Sequence, residues 1–444
     1  MNDYLDIATS LYTNSLTLFV GTGFSKYMTN NKAPNWIELL VDCTHEIDEH
    51  NILFNQLFVS EDNKTAKDSK YELTICAQIL EIAYLNKKKN IKEQIANIIK
   101  SKINEKTINQ TRLKHIQKFF NDHPNINIIT TNYDTIFSEY ILPLTSRIIV
   151  EGSIMSRVNS GQNIYHIHGC INRPESLILT INDYYNFQNS NNYFSRKFFT
   201  LLQETTVTIL GYSLGDFNLN SILNEVKNSK RDTFRRTDIY YVTKDRVAEV
   251  IEKFYEITYG IKVIQETETD SFLDFIEEEY STAESLIKTS DILKNVISGT
   301  QFYKDEYLKL KISLNKILIQ ASNLGIKIND EDFINTLMYV LDRKRSFTTE
   351  TGAWAQYEHL ADWLIEIASR VVIKGTTFES KFMDLVKYSL NTSSKVSLLG
   401  FSWSSWQTWK NRWKEIKLEN KDIITPLIKT TKWHSKQYIK EILD

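Results

Sequence analysis

Proline and glycine are scarce, five and thirteen in 444 residues, so glycines that fall close together carry more information than in a loop-rich chain. Cysteine is scarcer still. Cys43, Cys76 and Cys170 stand apart with no C-x-x-C pair, which fits neither a disulfide framework nor a cysteine-based structural zinc site and suits a reducing compartment. No apolar run approaches the roughly 18 residues that a bilayer span needs. The N-terminus carries Asp3 and Asp6 where a secretory leader would carry positive charge. Net charge is also small, −2 from 53 basic and 55 acidic residues, so no global polyelectrolyte partner is implied, although local basic patches remain open. The expectation is a soluble cytoplasmic protein with no membrane partner, long enough for two or three domains.

What is present begins with residues 16–26. Leu16 to Val20 read as a buried strand that runs into Gly21-Thr22-Gly23. Two near-adjacent glycines allow a sharp bend and bring backbone N–H groups close to a ligand. A helix from Ser25 would add the partial positive charge of its N-terminus, making a phosphate cradle. A plain strand-to-helix turn accounts for the same residues.

Residues 35–120 read as mainly helical, with Trp36, Leu39, Leu40 and Cys43, then Leu73, Cys76, Leu80 and Ile82, then Ile91, Ile95, Ile98 and Ile99 at helical spacing. Strand signatures follow at Ile126–Thr131, Arg147–Val150, Ile164–Ile167, Leu177–Thr180, Val207–Leu210, Ile239–Thr243 and Lys262–Ile264. Tyr133–Leu142, Phe194–Gln203, Leu219–Val226 and Arg246–Tyr255 read as helices between them. The alternation predicts an α/β domain, a parallel sheet with helices on both faces. Ligands of such sheets lie at the carboxyl ends of the strands. From about residue 285–292 the periodicity is helical only, with Leu308, Leu310, Ile312, Leu314, Ile317 and Leu318 lining one helix. The expected domains are 1–288, with a helical insertion at about 36–122, and an all-α domain at 289–444.

Three further strand ends carry chemistry. Asn132-Tyr133-Asp134 places an amide and a carboxylate where they could hold ribose hydroxyls or a water; an Asx turn capping the next helix is the plainer use. His166-Ile167-His168-Gly169 puts both histidines on one face by alternation, and histidine suits general-base work near neutral pH. No carboxylate or cysteine pattern completes a metal site, and none is expected. Gly211-Tyr212-Ser213-Leu214-Gly215-Asp216 frees the backbone and offers a hydroxyl, with Asp216 placed to cap a helix.

Taken in order, G-T-G-x-S, T-N-x-D, H-G and G-x-S resemble the sirtuin family, whose core carries G-A-G-x-S, T-Q-N-x-D, H-G and G-T-S. Thr130–Asp134, His166–Gly169 and Gly211–Asp216 are similar to the forms T-T-N-Y-D, H-x-H-G and G-Y-S-L-x-D of the sirtuin-like branch in bacterial antiphage defence, as is Ala33-Pro34-Asn35-Trp36. The resemblance spans roughly residues 12–285. Two features depart from protein-deacylating sirtuins: only Cys170 stands where four zinc cysteines would, and P-D-F-R becomes Pro34-Asn35-Trp36-Ile37. A dehydrogenase fingerprint fails at Lys26, and no G-K-[S/T] of a P-loop occurs.

The resemblance implies a Rossmann-like domain that takes NAD as substrate, without zinc, and cleaves the nicotinamide–ribose bond. By carry-over, Gly21, Thr22, Gly23 and Ser25 hold the pyrophosphate and adjoining ribose. Asn132 orients the nicotinamide ribose and water, Asp134 fixes the nicotinamide end or its loop, and His168 is the general base. Gly211 and Ser213 lie against the nucleotide, and Thr243 is an adenosine-side candidate. Water would be the acceptor and ADP-ribose the product. A non-catalytic NAD or ADP-ribose sensor and an NAD-dependent deacylase are the alternatives. A homo-oligomer is implied, together with a defence partner such as an ATPase or phage-sensing subunit.

In the C-terminal half Trp403, Trp406, Trp409 and Trp413 share one helical face. From Trp409 onward nine Lys and Arg face five Asp and Glu. An aromatic core stripe with a solvated basic flank is the expected reading; nucleic-acid binding and a subunit-docking face stay open beside it.

Overall fold

The computed structural model describes residues 2–62, 64–150, 153, 162–189, 193–215, 217–229, 239–395 and 402–443. The chain divides into two compact units, one built from Ser10–Ser229 and Asp238–Tyr280, the other from Met1–Thr9 and Ser281–Asp444.

The first unit is organised by strands β1 (Leu16–Val20), β4 (Asn127–Thr130), β5 (Ser146–Ile149), β6 (Gln162–His166), β7 (Thr206–Leu210), β8 (Ile239–Val242) and β9 (Ile261–Ile264). They form one parallel sheet in the order β5-β6-β4-β1-β7-β8-β9. β1 and β7 are buried along their whole length, which is why both read as unbroken apolar or β-branched runs rather than alternating ones. After β1 the chain builds outward on one side through β4 and β6, then returns to build β7, β8 and β9 on the other. The order therefore reverses at β1, and such a switch leaves a crevice beyond the carboxyl ends. The core around the sheet includes Phe19, Ile129, Tyr165, Leu202, Val207 and Ile209.

Between β1 and β4 lie helices Trp36–His45, Ile52–Leu57, Leu73–Asn86, Ile91–Lys102 and Gln110–Asp122. A small hairpin of β2 (Phe58–Val59) and β3 (Asp68–Ser69) interrupts them, which the apolar spacing had not signalled. The first helix starts with a capping box: Asn35 Oδ1 accepts from the Glu38 amide while Glu38 accepts from the Asn35 amide.

Four expectations are corrected. Leu177–Thr180 is not a strand. The Leu179 and Thr180 amides donate to Asp183 Oδ2, each at 3.0 Å, and so cap the helix Ile181–Asn189 instead of joining a ladder. The helix after Asn132 is a single π-helical stretch, Ile136–Ile141. The helix after β1 begins at Thr22, not Ser25. In the second unit Leu308 to Leu318 do not share one helix; Asp305–Lys309 and Ser313–Asn323 are separate. Carbonyls at the break are claimed from outside: Lys344 Nζ takes Leu308 O and Lys309 O, and Trp363 Nε1 takes Lys311 O. Satisfying them there removes the need to continue the helix.

Among its described residues the Ser281–Asp444 unit has helices and no strand. Its core joins Leu314, Phe333, Leu364 and Trp363 to Trp406, Trp409 and Trp413. The four tryptophans do not share one helix: Trp403, Trp406 and Trp409 lie in Ser402–Arg412, and Trp413 opens a separate 3-10 turn, Trp413–Glu415. Trp406, Trp409 and Trp413 are core residues, while Trp403 is exposed. The basic flank is partly paired, Lys410 with Glu441 and Arg412 with Asp362, Glu366 and Glu415. Among the described residues no helix is long and apolar enough to cross a membrane.

Candidate functional site

A cleft of about 1400 Å3 opens at the carboxyl ends of the central strands. Its walls include Thr22 and Gly23 after β1, Asn132 and Asp134 after β4, His168 after β6, Gly211 and Ser213 after β7, and Thr243 after β8. Five stretches separated by up to about two hundred residues are brought together because each ends a strand of one parallel sheet. Gly21 and Ser25 lie behind this wall rather than on it, and Asp216 lies outside the described residues.

The glycine corner works differently from the cradle read in the sequence. Gly21 N–H donates to Leu210 O at 2.9 Å and Gly23 N–H to Gly211 O at 2.7 Å. Those two amides are spent on the neighbouring strand end. A Cβ on Gly21 would lie 2.6 Å from Gly211 O, and one on Gly23 would lie 2.8 Å from Gly211 Cα. Gly211 itself has φ +60°, and its Cβ would meet Phe24 N at 2.2 Å. The three glycines interlock, and their absent side chains let the loops after β1 and β7 touch.

Around this clasp runs a hydrogen-bonded relay. Thr130 Oγ1 donates to Val20 O and accepts from the Asn132 amide, fixing the turn after β4. Asn132 Nδ2 donates to Ser25 Oγ at 2.8 Å, Ser25 Oγ donates to Asp134 Oδ2 at 2.6 Å, and Thr22 Oγ1 donates to Asn132 Oδ1 at 3.3 Å. Ser25 is thereby the strut that sets the Asn132 and Asp134 side chains. Among the described residues nothing else bonds the second Asn132 N–H or the second lone pair of its carbonyl, which leaves both to a ligand. Burial raises the Asp134 carboxyl above the ordinary range, while the Ser25 hydroxyl and the Ile136 amide oppose that shift.

The two histidines separate in role. His166, 2% exposed, points its Nδ1 at Asn132 O, 3.0 Å away. A carbonyl only accepts, so Nδ1 carries the proton. Burial lowers the pKa of this imidazole to about 4, against the raising effect of that bond, so the ring is neutral. It braces the Asn132 backbone. His168, also buried, lines the cleft, with its ring 5.5 Å from that of Tyr184 and 6.2 Å from that of Phe187.

Several lining residues lie outside the four strand-end motifs. Trp36 stacks on Tyr184 with ring centroids 6.1 Å apart and planes at 15°. Lys26, Arg112, Lys244 and Glu268 bring charge to the walls. Lys26 pairs with Glu38 at 3.0 Å, and the Arg112 guanidinium lies 4.1 Å from the Tyr27 ring centroid. The signal for Tyr184 was the capping pair Thr180 and Asp183 just before it; nothing comparable marks Arg112. No group of three or more His, Cys, Asp or Glu placed to hold a metal occurs among the described residues.

Comparison with known proteins adds two findings. Residues 126–264 match the model of the SIR2-like domain. That span holds Asn132, Asp134, His168, Gly211 and Ser213 but not the glycine corner. The chain is also similar to Defense-associated sirtuin 2 of Bacillus subtilis, 25% identical over 159 residues, 35% of this chain and 15% of that protein.

Proposed function

Because the chain carries a SIR2-like domain, we propose that it binds NAD+ in the strand-end cleft and hydrolyses the nicotinamide–ribose bond. The observation that carries this reading is the convergence of Asn132, His168, Gly211 and Ser213 with Thr22 on one cleft, at the sheet's switch point.

In the proposed reaction the C1′–N bond breaks, its electron pair neutralises the pyridinium nitrogen, and an oxocarbenium-like C1′ is left. Water attacks C1′ and loses its proton, giving nicotinamide, ADP-ribose and H+. His168 is the general base, bearing on a ribose hydroxyl and thence on the water. Asn132, held by Ser25 and Thr22, uses its remaining N–H and lone pair to orient the ribose and the water. Asp134 fixes the loop at the nicotinamide end. Thr22, Gly23, Gly211 and Ser213 form the floor on which the pyrophosphate lies; Gly21 and Ser25, behind it, are positioning residues. Thr243 faces the adenosine side. Without the zinc cysteines of a peptide-binding module, water rather than an acyl-lysine is the acceptor.

Likeness to a protein named for defence supports a role as a regulated NAD-depleting effector against phage, acting in the cytoplasm. Unregulated NAD loss would poison the host. The helical domain, taken as 289–444 beside a catalytic 1–288, is therefore assigned to regulation or assembly, through a homo-oligomer or a partner subunit of ATPase or phage-sensing type.

Product analysis tests the reaction. Purified protein should release nicotinamide and ADP-ribose one for one. NAD left intact under every activating condition, with binding retained, would favour a sensor. Nicotinamide release that requires an acyl-peptide would point to a deacylase.

A further inference from the structure

Within the Ser281–Asp444 unit a second cavity, of about 560 Å3, lies against the end of the helix Thr269–Lys288, the segment Gln301–Tyr307 and the helix Ser313–Asn323. Its volume falls in the range of about 300–1,000 Å3 typical of small-molecule sites. The chemistry of its lining is one-sided. Among the described residues two ammonium groups, Lys304 and Lys316, face it and no carboxylate does. Among the described residues neither lysine has an ion-pair partner, whereas Lys309 and Lys311 close by in the chain are each paired at 2.7 Å, with Glu350 and Glu358. Unpaired cations beside apolar walls attract an anion more strongly than paired ones.

Aromatic surface accompanies the charge. The Tyr303 and Tyr307 rings stack with centroids 5.3 Å apart at 29°, and both line the cavity. The Tyr303 hydroxyl is enclosed and meets no hydrogen-bond partner among the described residues. An enclosed hydroxyl left unpaired is costly unless something supplies an acceptor. Burial pushes this phenol up, so it stays a donor across the physiological range. Ser281 and Ser285, one helical turn apart, add hydroxyls to the same wall.

We infer that this cavity binds an aromatic anion of mononucleotide size, its phosphate held by Lys304 and Lys316 and its base set against the tyrosines. The cavity accepts one nucleotide and not a strand, because its cations are two and its volume is only about 560 Å3. This site is independent of what the strand-end cleft does to NAD.

Photolabelling of the full chain with 8-azidoadenosine 5′-monophosphate, followed by peptide mapping, tests it. Label is expected within 281–320, displaced by AMP. It should fall at least roughly tenfold in Lys304→Glu/Lys316→Glu, with the unfolding midpoint unchanged, and several-fold in Tyr303→Phe. The inference is overturned if 281–320 stays unlabelled or if the charge-reversed protein labels equally. Equal labelling by uncharged 8-azidoadenosine, or displacement only by a single-stranded oligonucleotide, would also overturn it.

Discussion

The strand-end cleft and the interior of the helical unit both bury polar side chains, and they treat them in opposite ways. In the helical unit the buried Arg370–Glu366–Arg412 network matches its charges. Arg370 and Glu366, 0% and 3% exposed at their side chains, bond at 2.9 Å, and Arg412 reaches Asp362, Glu366 and Glu415 at 2.6–2.8 Å. In the cleft Asn132, Asp134 and His166 are held by hydroxyls, amides and a carbonyl, with no cation bonded to them in the relay. The first arrangement spends its polar groups on one another; the second keeps part of their capacity turned to a ligand. Burial of polar groups is thus a pointer to function only where their bonding is left incomplete.

The comparison can be broken in descending order of effect. Arg370→Met should cost about 3–5 kcal/mol, since it leaves Glu366 buried and short of a partner, and should not alter the cleft's chemistry directly. A chemical-denaturation midpoint that barely moves would show the matched network to be dispensable. Gly211→Ala should cost about 3 kcal/mol, through strain at positive φ and collision with Phe24 N. A fully stable variant would mean that the glycine clasp is not a packing device.

The neutral His166 has a pH signature. Its folded pKa of about 4 lies below the ordinary 6.5. Between those values the unfolded chain binds the extra proton, so its contribution to stability is complete above pH 6.5 and lost as pH falls towards 4, by at most about 3 kcal/mol. Asp134, whose carboxyl is raised, works in the opposite direction. The test is therefore the difference between wild type and His166→Gln, which should narrow from pH 7 to 4.5; a constant difference would place a charged or exposed imidazole there. Smallest of all, Trp403→Ala should change stability by less than about 0.5 kcal/mol because the ring is exposed, against about 3–5 kcal/mol for the buried Trp409.

Much of this contrast was legible in residue order. The β-branched runs at β1, β4 and β7 and the motifs after them located the cleft, because in a parallel sheet sequence position at a strand end fixes position in space. What stayed hidden depends on partners distant in the chain. Leu177–Thr180 had the composition of a strand, but the Asp183 carboxylate captured its amides. Leu308–Leu318 had helical spacing, but Lys344 and Trp363 took the carbonyls at its break. The glycine corner was recognisable as a bend; that its amides serve the β7 loop could be known only once Gly211 was beside it. The stack of Trp36 on Tyr184 unites residues about 150 positions apart and left no periodic trace. For the tryptophans, spacing suggested one helical face, but the helix stops at Arg412 and Trp413 reaches the core from the turn beyond it.

The most direct measurement pairs NAD+ affinity with nicotinamide release in wild type and His168→Ala. The account predicts that the variant still binds NAD+ within a few-fold of wild type while release falls by about 10²–10⁴. Release at the wild-type rate from His168→Ala would contradict it.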